Sequence, residues 1–289
     1  MKQMLLLYNE NAGRGRIAAN LEAIIAVFEQ SGYAVRAKGI RFDVNPLEGE
    51  EDLSLVVVCG GDGTINYLVN SMRALSLDIP IGIIPVGTAN DFAGTLGLSS
   101  QPLEAARQIV EGSVERVDCG CVNGLYFINV LSFGLFTTTS QHTPDDLKHR
   151  FGKLAYLAVG AQDLRNFHAI PLEVVCDGEK MQTECLLGLV FNGETAGRFK
   201  FARQASVRDG MLDLIIINRQ NLVKAMCGVL TYFITGRENY AVQHLSASHI
   251  ELHSALSPET DVDGQAGAVF PLVVDCLPGA VGIVVPRKE

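Results

Sequence analysis

The sequence contains no Gly-Lys-Ser or Gly-Lys-Thr triplet, which excludes an ordinary P-loop nucleotide hydrolase. Charge is scarce as well. Charged residues make up 19% and hydrophobic residues 48% of 289 positions, so disorder is excluded and a full core is available, in one large domain or two ordinary ones. An excess of basic residues is missing: the net charge of −9 argues against a nucleic-acid partner. Two basic stretches, one with Arg198, Lys200, Arg203 and Arg208, the other with Lys148, His149, Arg150 and Lys153, read as solvated surface or as local patches against a membrane. Cysteine pairs with metal-ligand spacing are lacking. Cys119 and Cys121 are the only close pair among seven, and all seven read as reduced, mostly within core strands. The six histidines show no paired ligand spacing either. Met4–Tyr8 is too short an apolar run for a signal peptide and leads into a glycine turn. Between Cys119 and Pro144 there is no Lys, Arg, Asp or Glu, a length that raises the question of a membrane span. Asn123, Gly124, Asn129, Gly134 and the polar run Thr137–Ser140 fit a hairpin and an active-site loop instead, so a soluble, cytoplasmic protein is expected.

Against these absences stands one dense stretch, Val56 to Asn66. An apolar strand-like run meets Gly60, Gly61, Asp62, Gly63 and Thr64, after which Ile65, Leu68, Val69 and Met72 recur at helical spacing. A strand, glycine turn and helix in this order present unpaired N–H groups where an anion is favoured. A carboxylate at Asp62 in such a place makes sense if a metal ion or a hydroxyl lies between it and phosphate.

Met4–Leu7, Tyr33–Ala37, Leu53–Cys59 and Ile79–Pro85 read as strands, and Ile17–Gln30 and Pro102–Glu111 as helices. The alternation predicts a doubly wound parallel sheet, with ligands beyond the carboxyl ends of its strands. Polar turns at Asn9–Gly15, Gly60–Asn66 and Gly87–Asp91 all fall at such ends. From Val114 the texture changes to strands and hairpin turns such as Asn123-Gly124 and Asp177-Gly178, with helices near Gly152–Phe167 and Leu222–Thr235. Leu125–Leu131, Cys185–Phe191, Val269–Asp275 and Val281–Val285 are among these strands. The expected architecture is an α/β domain over residues 1–113 and a mainly antiparallel β domain over 114–289, whose last strand is free to return to the first.

Gly60-Gly61-Asp62-Gly63-Thr64 followed by Gly87-Thr88-Ala89-Asn90-Asp91-Phe92-Ala93 resembles the diacylglycerol kinase catalytic family, which includes soluble bacterial lipid kinases and sphingosine kinases. NAD kinases share the first motif; the second separates the lipid kinases from them. Asn9-x-Asn11-Ala12-Gly13, Asp118 ahead of a strand pair ending in Gly134, and Asp209-Gly210-Met211-Leu212-Asp213 agree, so the resemblance covers nearly the whole chain. It implies phosphorylation of a lipid hydroxyl by ATP with Mg²⁺, at a membrane surface, by a peripheral protein that is a candidate homodimer. By motif, Asn9, Gly60, Gly61, Asp62, Gly63, Thr64, Ile65, Asn66, Thr88, Asn90 and Asp91 are implied to bind nucleotide. Asp62 is implied to belong to the ATP–metal network, and Asp209 to hold a second Mg²⁺ with backbone carbonyls near Ser206 and Met211. An apolar lipid cleft is expected, with Ile128–Thr139 and Gly152–Phe167 as candidate walls.

The chain departs from the family near its end. The family's Asp-Gly-Glu, whose glutamate resembles the general base, is replaced by Asp263-Gly264-Gln265. An amide is no base near neutral pH. Three outcomes stay open: Asp263 takes the role, the substrate differs, or the chain binds without efficient turnover. The alternatives to a slow or altered lipid kinase are a kinase of NAD or a related nucleotide and a non-catalytic nucleotide or lipid sensor.

Overall fold

The computed structural model describes residues 1–9, 16–50, 52–135, 169–196, 199–203 and 205–287. The expected helix at 152–167, most of the Asn9–Gly15 turn, the basic stretch at 148–153, Arg198, His142, His149, His168 and the polar run at 137–140 lie outside these residues.

Uninterrupted apolar runs such as Leu5-Leu6-Leu7 and Val56-Val57-Val58 suit strands covered on both faces. They form the middle of a parallel sheet built from β1 (Lys2–Tyr8), β2 (Tyr33–Gly39), β3 (Leu53–Gly60) and β4 (Ile81–Pro85), in the order β2-β1-β3-β4. Helices α1 (Arg16–Gln30), α2 (Asp62–Ala74), α3 (Asp91–Thr95) and α4 (Pro102–Glu111) alternate with them. Ile17, Ile24 and Phe28 of α1 meet Ala105, Ala106 and Ile109 of α4 in a core shared with Met4, Leu6, Val57 and Ile84. This compact unit comprises residues 1–119, 195–199 and 278–289. The chain's end belongs to it because Ile283 pairs in parallel with Ile81.

The second unit, residues 120–194 and 200–277, is built among the described residues mainly of antiparallel strand pairs. Its elements follow from β5 (Ser113–Val122), which leads into it, through β6 (Leu125–Phe127), β7 (Val130–Gly134), β8 (Ile170–Cys176) and β9 (Glu179–Phe191). After the short ribbon β10 (Thr195–Ala196) and β11 (Phe199–Lys200) come β12 (Leu212–Asn218), α5 (Leu222–Thr235), β13 (Val242–Ala247), β14 (His249–His253), β15 (Thr260–Val262), β16 (Gln265–Ala266) and β17 (Leu272–Val285). β9 is the hub: β8 and then β7 pair along one edge, β12 along the other. Phe127, Phe133, Val190, Leu214, Ile250, Leu252 and Val274 fill its core.

Three strand expectations change. Leu125–Leu131 is two strands, because the N–H groups of Ile128, Asn129 and Val130 turn out of the ladder toward the carboxylate of Asp263. Val269–Asp275 and Val281–Val285 are one long strand from Leu272, which passes from the second unit into the first. β9 begins at Glu179, six residues before the apolar run at Cys185, because the Asp177-Gly178 turn starts pairing with β8 at once.

Candidate functional site

In the first unit, β1, β3 and β4 end level with one another. Tyr8 stands beside Cys59, Gly60 beside Pro85, and the Asn9 N–H donates to the Cys59 carbonyl at 3.1 Å. Asn9 and the turns at Gly60–Asn66 and Gly87–Asp91 therefore lie on one edge of the sheet, where doubly wound sheets bind ligands.

The glycine-aspartate turn and the Gly87–Asp91 turn touch through their backbones. A Cβ built on Gly87 would lie 2.4 Å from the Gly61 Cα and 2.7 Å from Asn90 Oδ1; one on Gly61 would lie 3.0 Å from the Gly87 Cα. Only two glycines allow this approach. Gly60 is the last residue of β3; its carbonyl accepts the Val86 N–H at 3.0 Å, and a Cβ there would meet the Thr64 Cβ at 2.5 Å.

Asp62 fastens the two turns together. Its Oδ2 accepts the Asp91 N–H at 3.1 Å and its Oδ1 the Phe92 N–H at 3.0 Å. These are two of the orphan donors that open α3, so Asp62 caps that helix across 29 and 30 residues of sequence. Asn90, the residue in the N-cap position, cannot do so: it sits at φ 55°, makes no cap bond, and spends its Nδ2 on the Gly87 carbonyl at 3.0 Å. A carboxylate has about four lone-pair sites. Asp62 uses two on backbone and keeps two.

Asp62 also opens α2 with Gly61 as N-cap, and only from Thr64 onward do N–H groups return to the Gly61 carbonyl. The N–H groups of Asp62 and Gly63 thus precede the helical ladder, at the positive end of a helix of 13 residues. Among the described residues, the buried Asn90 Oδ1 has no hydrogen-bond partner; it lies 3.7 Å from the Cβ position of Gly61. A buried acceptor of that kind calls for a donor from a ligand or its water. Among the other implied nucleotide residues, Asn9 is half-buried and Thr88 exposed at the same edge. Ile65 points into the core, Thr64 lies under Gly60, Asn66 holds Asn70 through its carbonyl and Oδ1 at 3.0 and 3.1 Å, and Asp91 is buried with its carbonyl on Thr95 Oγ1.

In the second unit, Asp263 and Gly264 form the two-residue turn between β15 and β16, both at positive φ (49° and 88°), as a tight hairpin demands. Asp263 Oδ2 accepts the Ile128 N–H at 2.7 Å, and Oδ1 accepts the Asn129 and Val130 N–H groups at 3.0 and 2.9 Å. A carboxylate holding three backbone donors fastens the β6–β7 junction, which speaks against Asp263 as the proton acceptor. Gln265 is exposed on β16 and pairs with Val262.

Asp209, Ser206 and Met211 lie on one surface loop. Asp209 Oδ1 accepts the Met211 N–H at 3.1 Å, Ser206 Oγ accepts the Arg208 N–H at 3.2 Å, and Gly210 turns the chain at φ 73°. Among the described residues no group of three or more His, Cys, Asp or Glu is placed to hold a metal. One carboxylate with backbone carbonyls is a hard oxygen set of the kind that Mg²⁺ or Ca²⁺ takes together with water.

Two motif aspartates have partners that the motifs do not show. Asp213, from the same motif as Asp209, is buried and bonds His244 Nε2 at 2.7 Å, while His244 Nδ1 meets the Tyr232 hydroxyl at 3.0 Å. Burial, and then the Asp213 charge, push the Tyr232 phenol up to about 12. Asp118, also buried, accepts the Gly279 N–H at 2.8 Å and so ties β5 to the final strand.

Residues 3–122 match the diacylglycerol kinase catalytic domain, and residues 129–285 match the YegS C-terminal NAD kinase beta sandwich-like domain. The chain is 32% identical over 299 residues to the diacylglycerol kinase of Bacillus subtilis (strain 168), covering 100% of this chain and 98% of that one. It is 31% identical over 278 residues to the diacylglycerol kinase of Staphylococcus saprophyticus, covering 93% and 91%. A solved structure from Bacillus anthracis str. Sterne, assigned to the diacylglycerol kinases, superimposes with a TM-score of 0.83 at 26% identity over 99% of this chain and 98% of that one.

Proposed function

The chain belongs to the diacylglycerol kinase catalytic family, and from that premise we propose that it transfers the terminal phosphoryl group of ATP, with Mg²⁺, to the hydroxyl of a diacylglycerol-like lipid at a membrane surface. In this reaction the lipid oxygen forms a bond to the γ-phosphorus, the bond from that phosphorus to ADP breaks, and the hydroxyl proton leaves. The observation that carries the reading is Asp62, whose carboxylate joins the two motif turns and keeps lone pairs for a further partner.

Phosphoryl transfer needs positioning and charge neutralisation more than covalent help. The Asp62 and Gly63 N–H groups at the start of α2 would donate to phosphate oxygens, which their place at a helix N-terminus supports. Asn90 Oδ1 offers an unfilled acceptor beside them. Asp62 would help hold Mg²⁺, which would supply positive charge to the phosphates, and Asp209 would hold a second ion with its loop carbonyls. Gln265 cannot accept a proton and the Asp263 oxygens hold three backbone N–H groups, so in this reading neither residue is the base and water takes the hydroxyl proton. A general base contributes on the order of 10²–10⁴-fold, and its loss makes a slow kinase rather than an inert protein.

The test is incubation with labelled ATP and Mg²⁺ against diacylglycerol, a sphingoid base, phosphatidylglycerol and NAD. Label in diacylglycerol is expected. Label in NAD alone would remove the lipid reading, and nucleotide binding without any transfer would leave a sensor.

A further inference from the structure

Helix α5 has an apolar face on each side. At about 100° per residue, Ala225, Gly228 and Tyr232 fall together, and all three are buried. Gly228 is seated so closely that a Cβ there would lie 2.3 Å from the Ala241 Cβ. Diametrically opposite, within an arc of about 100°, lie Val223, Met226, Cys227, Leu230 and Ile234. Val223, Met226, Leu230 and Ile234 are 71%, 59%, 61% and 68% exposed. Tyr240, also exposed, sits at one end of this face with its hydroxyl on the Lys224 carbonyl at 3.1 Å. The helix is well made: Asn221 Oδ1 caps it at the Lys224 N–H, 2.9 Å, and Gly236 closes it in the left-handed conformation. The outward apolar stripe is therefore a fixed feature of the fold, where a surface helix normally turns polar residues to water.

The surrounding charge indicates what covers it. The helix carries no Asp or Glu. Exposed Lys224 stands on it, exposed Arg237 follows its C-cap, and the Arg203 guanidinium donates to the Phe233 carbonyl in its last turn. Glu238, the nearest acid in sequence, is spent on the His244 N–H at 2.6 Å. In a chain of net charge −9 this is a locally cationic, apolar surface. A second copy of the chain would bring the same cations together, whereas an anionic lipid surface complements both the charge and the apolar stripe. With 14 residues the helix is too short to span a bilayer and suits lying in its interface.

We infer that α5 is the element by which this protein docks on anionic membranes, with Val223, Met226, Leu230 and Ile234 entering the headgroup–acyl boundary and Lys224, Arg203 and Arg237 meeting lipid phosphates. The inference extends the reading that the chain acts on a membrane lipid, and rests on it. Its test uses no nucleotide, so its failure leaves phosphotransfer standing.

The full chain is sedimented with vesicles of phosphatidylcholine alone and of phosphatidylcholine with phosphatidylglycerol. The double variant Leu230→Gln/Ile234→Gln is compared, along with Lys224→Gln/Arg237→Gln. Wild type should bind the phosphatidylglycerol vesicles and release at high salt. The apolar variant should bind at least about tenfold more weakly, and the charge variant should lose the preference for anionic lipid. Thermal melting and the mass on size exclusion should be unchanged in both. Transfer to a short-chain diacylglycerol in detergent micelles should also be unchanged. Equal vesicle binding by wild type and the apolar variant overturns the inference, as does no binding by wild type. A wild-type dimer that the apolar variant converts to monomer overturns it in favour of a self-association face.

Discussion

Two aspartates in two glycine turns do similar mechanical work with different consequences. Asp62, in the parallel-sheet unit, accepts two backbone N–H groups; Asp263, in the antiparallel unit, accepts three. Each draws two distant segments together: the two motif turns for Asp62, the β15–β16 hairpin and the β6–β7 junction for Asp263. The difference lies in what remains. Asp62 stands at a helix N-terminus near Asn90 Oδ1, which has no partner among the described residues, and spends only two of its lone pairs on backbone. Asp263 sits in a hairpin turn, and the exposed residue two places on is an amide. A carboxylate in a motif can thus be a fastener alone or a fastener that also faces substrate, and its hydrogen bonds distinguish the two.

The largest effect expected is at Gln265. Gln265→Glu places a proton acceptor on the Asp263 hairpin and should raise transfer to diacylglycerol on the order of 10²-fold or more, read from initial rates with labelled ATP; an unchanged rate removes the missing-base account. Next is Gly87→Ala, which drives a methyl group into the Gly61 backbone and separates the turns that Asp62 joins. Displacement on that scale should lower transfer about 10²-fold and weaken ATP binding by calorimetry, while the Asp263 hairpin is untouched.

Asp263→Ala should act on stability. Three N–H groups lose their acceptor, and unfolding by denaturant should show a loss of about 2–4 kcal/mol, with activity per folded molecule little changed. The smallest effect is at His249, outside both turns. Asp275, then Glu251, raise its pKa above the ordinary imidazole value. The folded state therefore gains stability from these contacts below about pH 6.5 and loses it as the pH rises through the raised value. His249 is partly exposed, so His249→Gln should cost about 0.5 kcal/mol or less near pH 5.5 and nothing near pH 9, seen as a melting difference that closes with pH.

Legibility followed how local each signal is. The parallel sheet could be read because Met4–Leu7 and Val56–Cys59 are unbroken apolar runs that end in glycine turns, and α5 because its boundaries coincide with Asn221 and Gly236. The motif turns could be read as lying at strand ends, but not as a clamp: that Asp62 caps α3 depends on contacts 29 and 30 residues apart. The split between β6 and β7 was hidden for the same reason, its cause being a carboxylate at 263. β13, Val-Gln-His-Leu-Ser-Ala, escaped because polar residues interrupt it and its partners β12 and α5 supply its burial. The outward face of α5 was invisible because apolar spacing alone does not say which side meets the sheet.

The most direct test of the central claim is single-turnover transfer of label from ATP to a short-chain diacylglycerol by wild type and Asp62→Asn, each shown folded by its melt. Asn keeps one acceptor oxygen for the α3 cap and removes the charge that the ATP–metal network requires. The account predicts melting close to wild type, within about 1–2 kcal/mol of stability, and transfer reduced at least about 10²-fold. Full transfer by the folded variant would contradict it, leaving Asp62 as a fastener only.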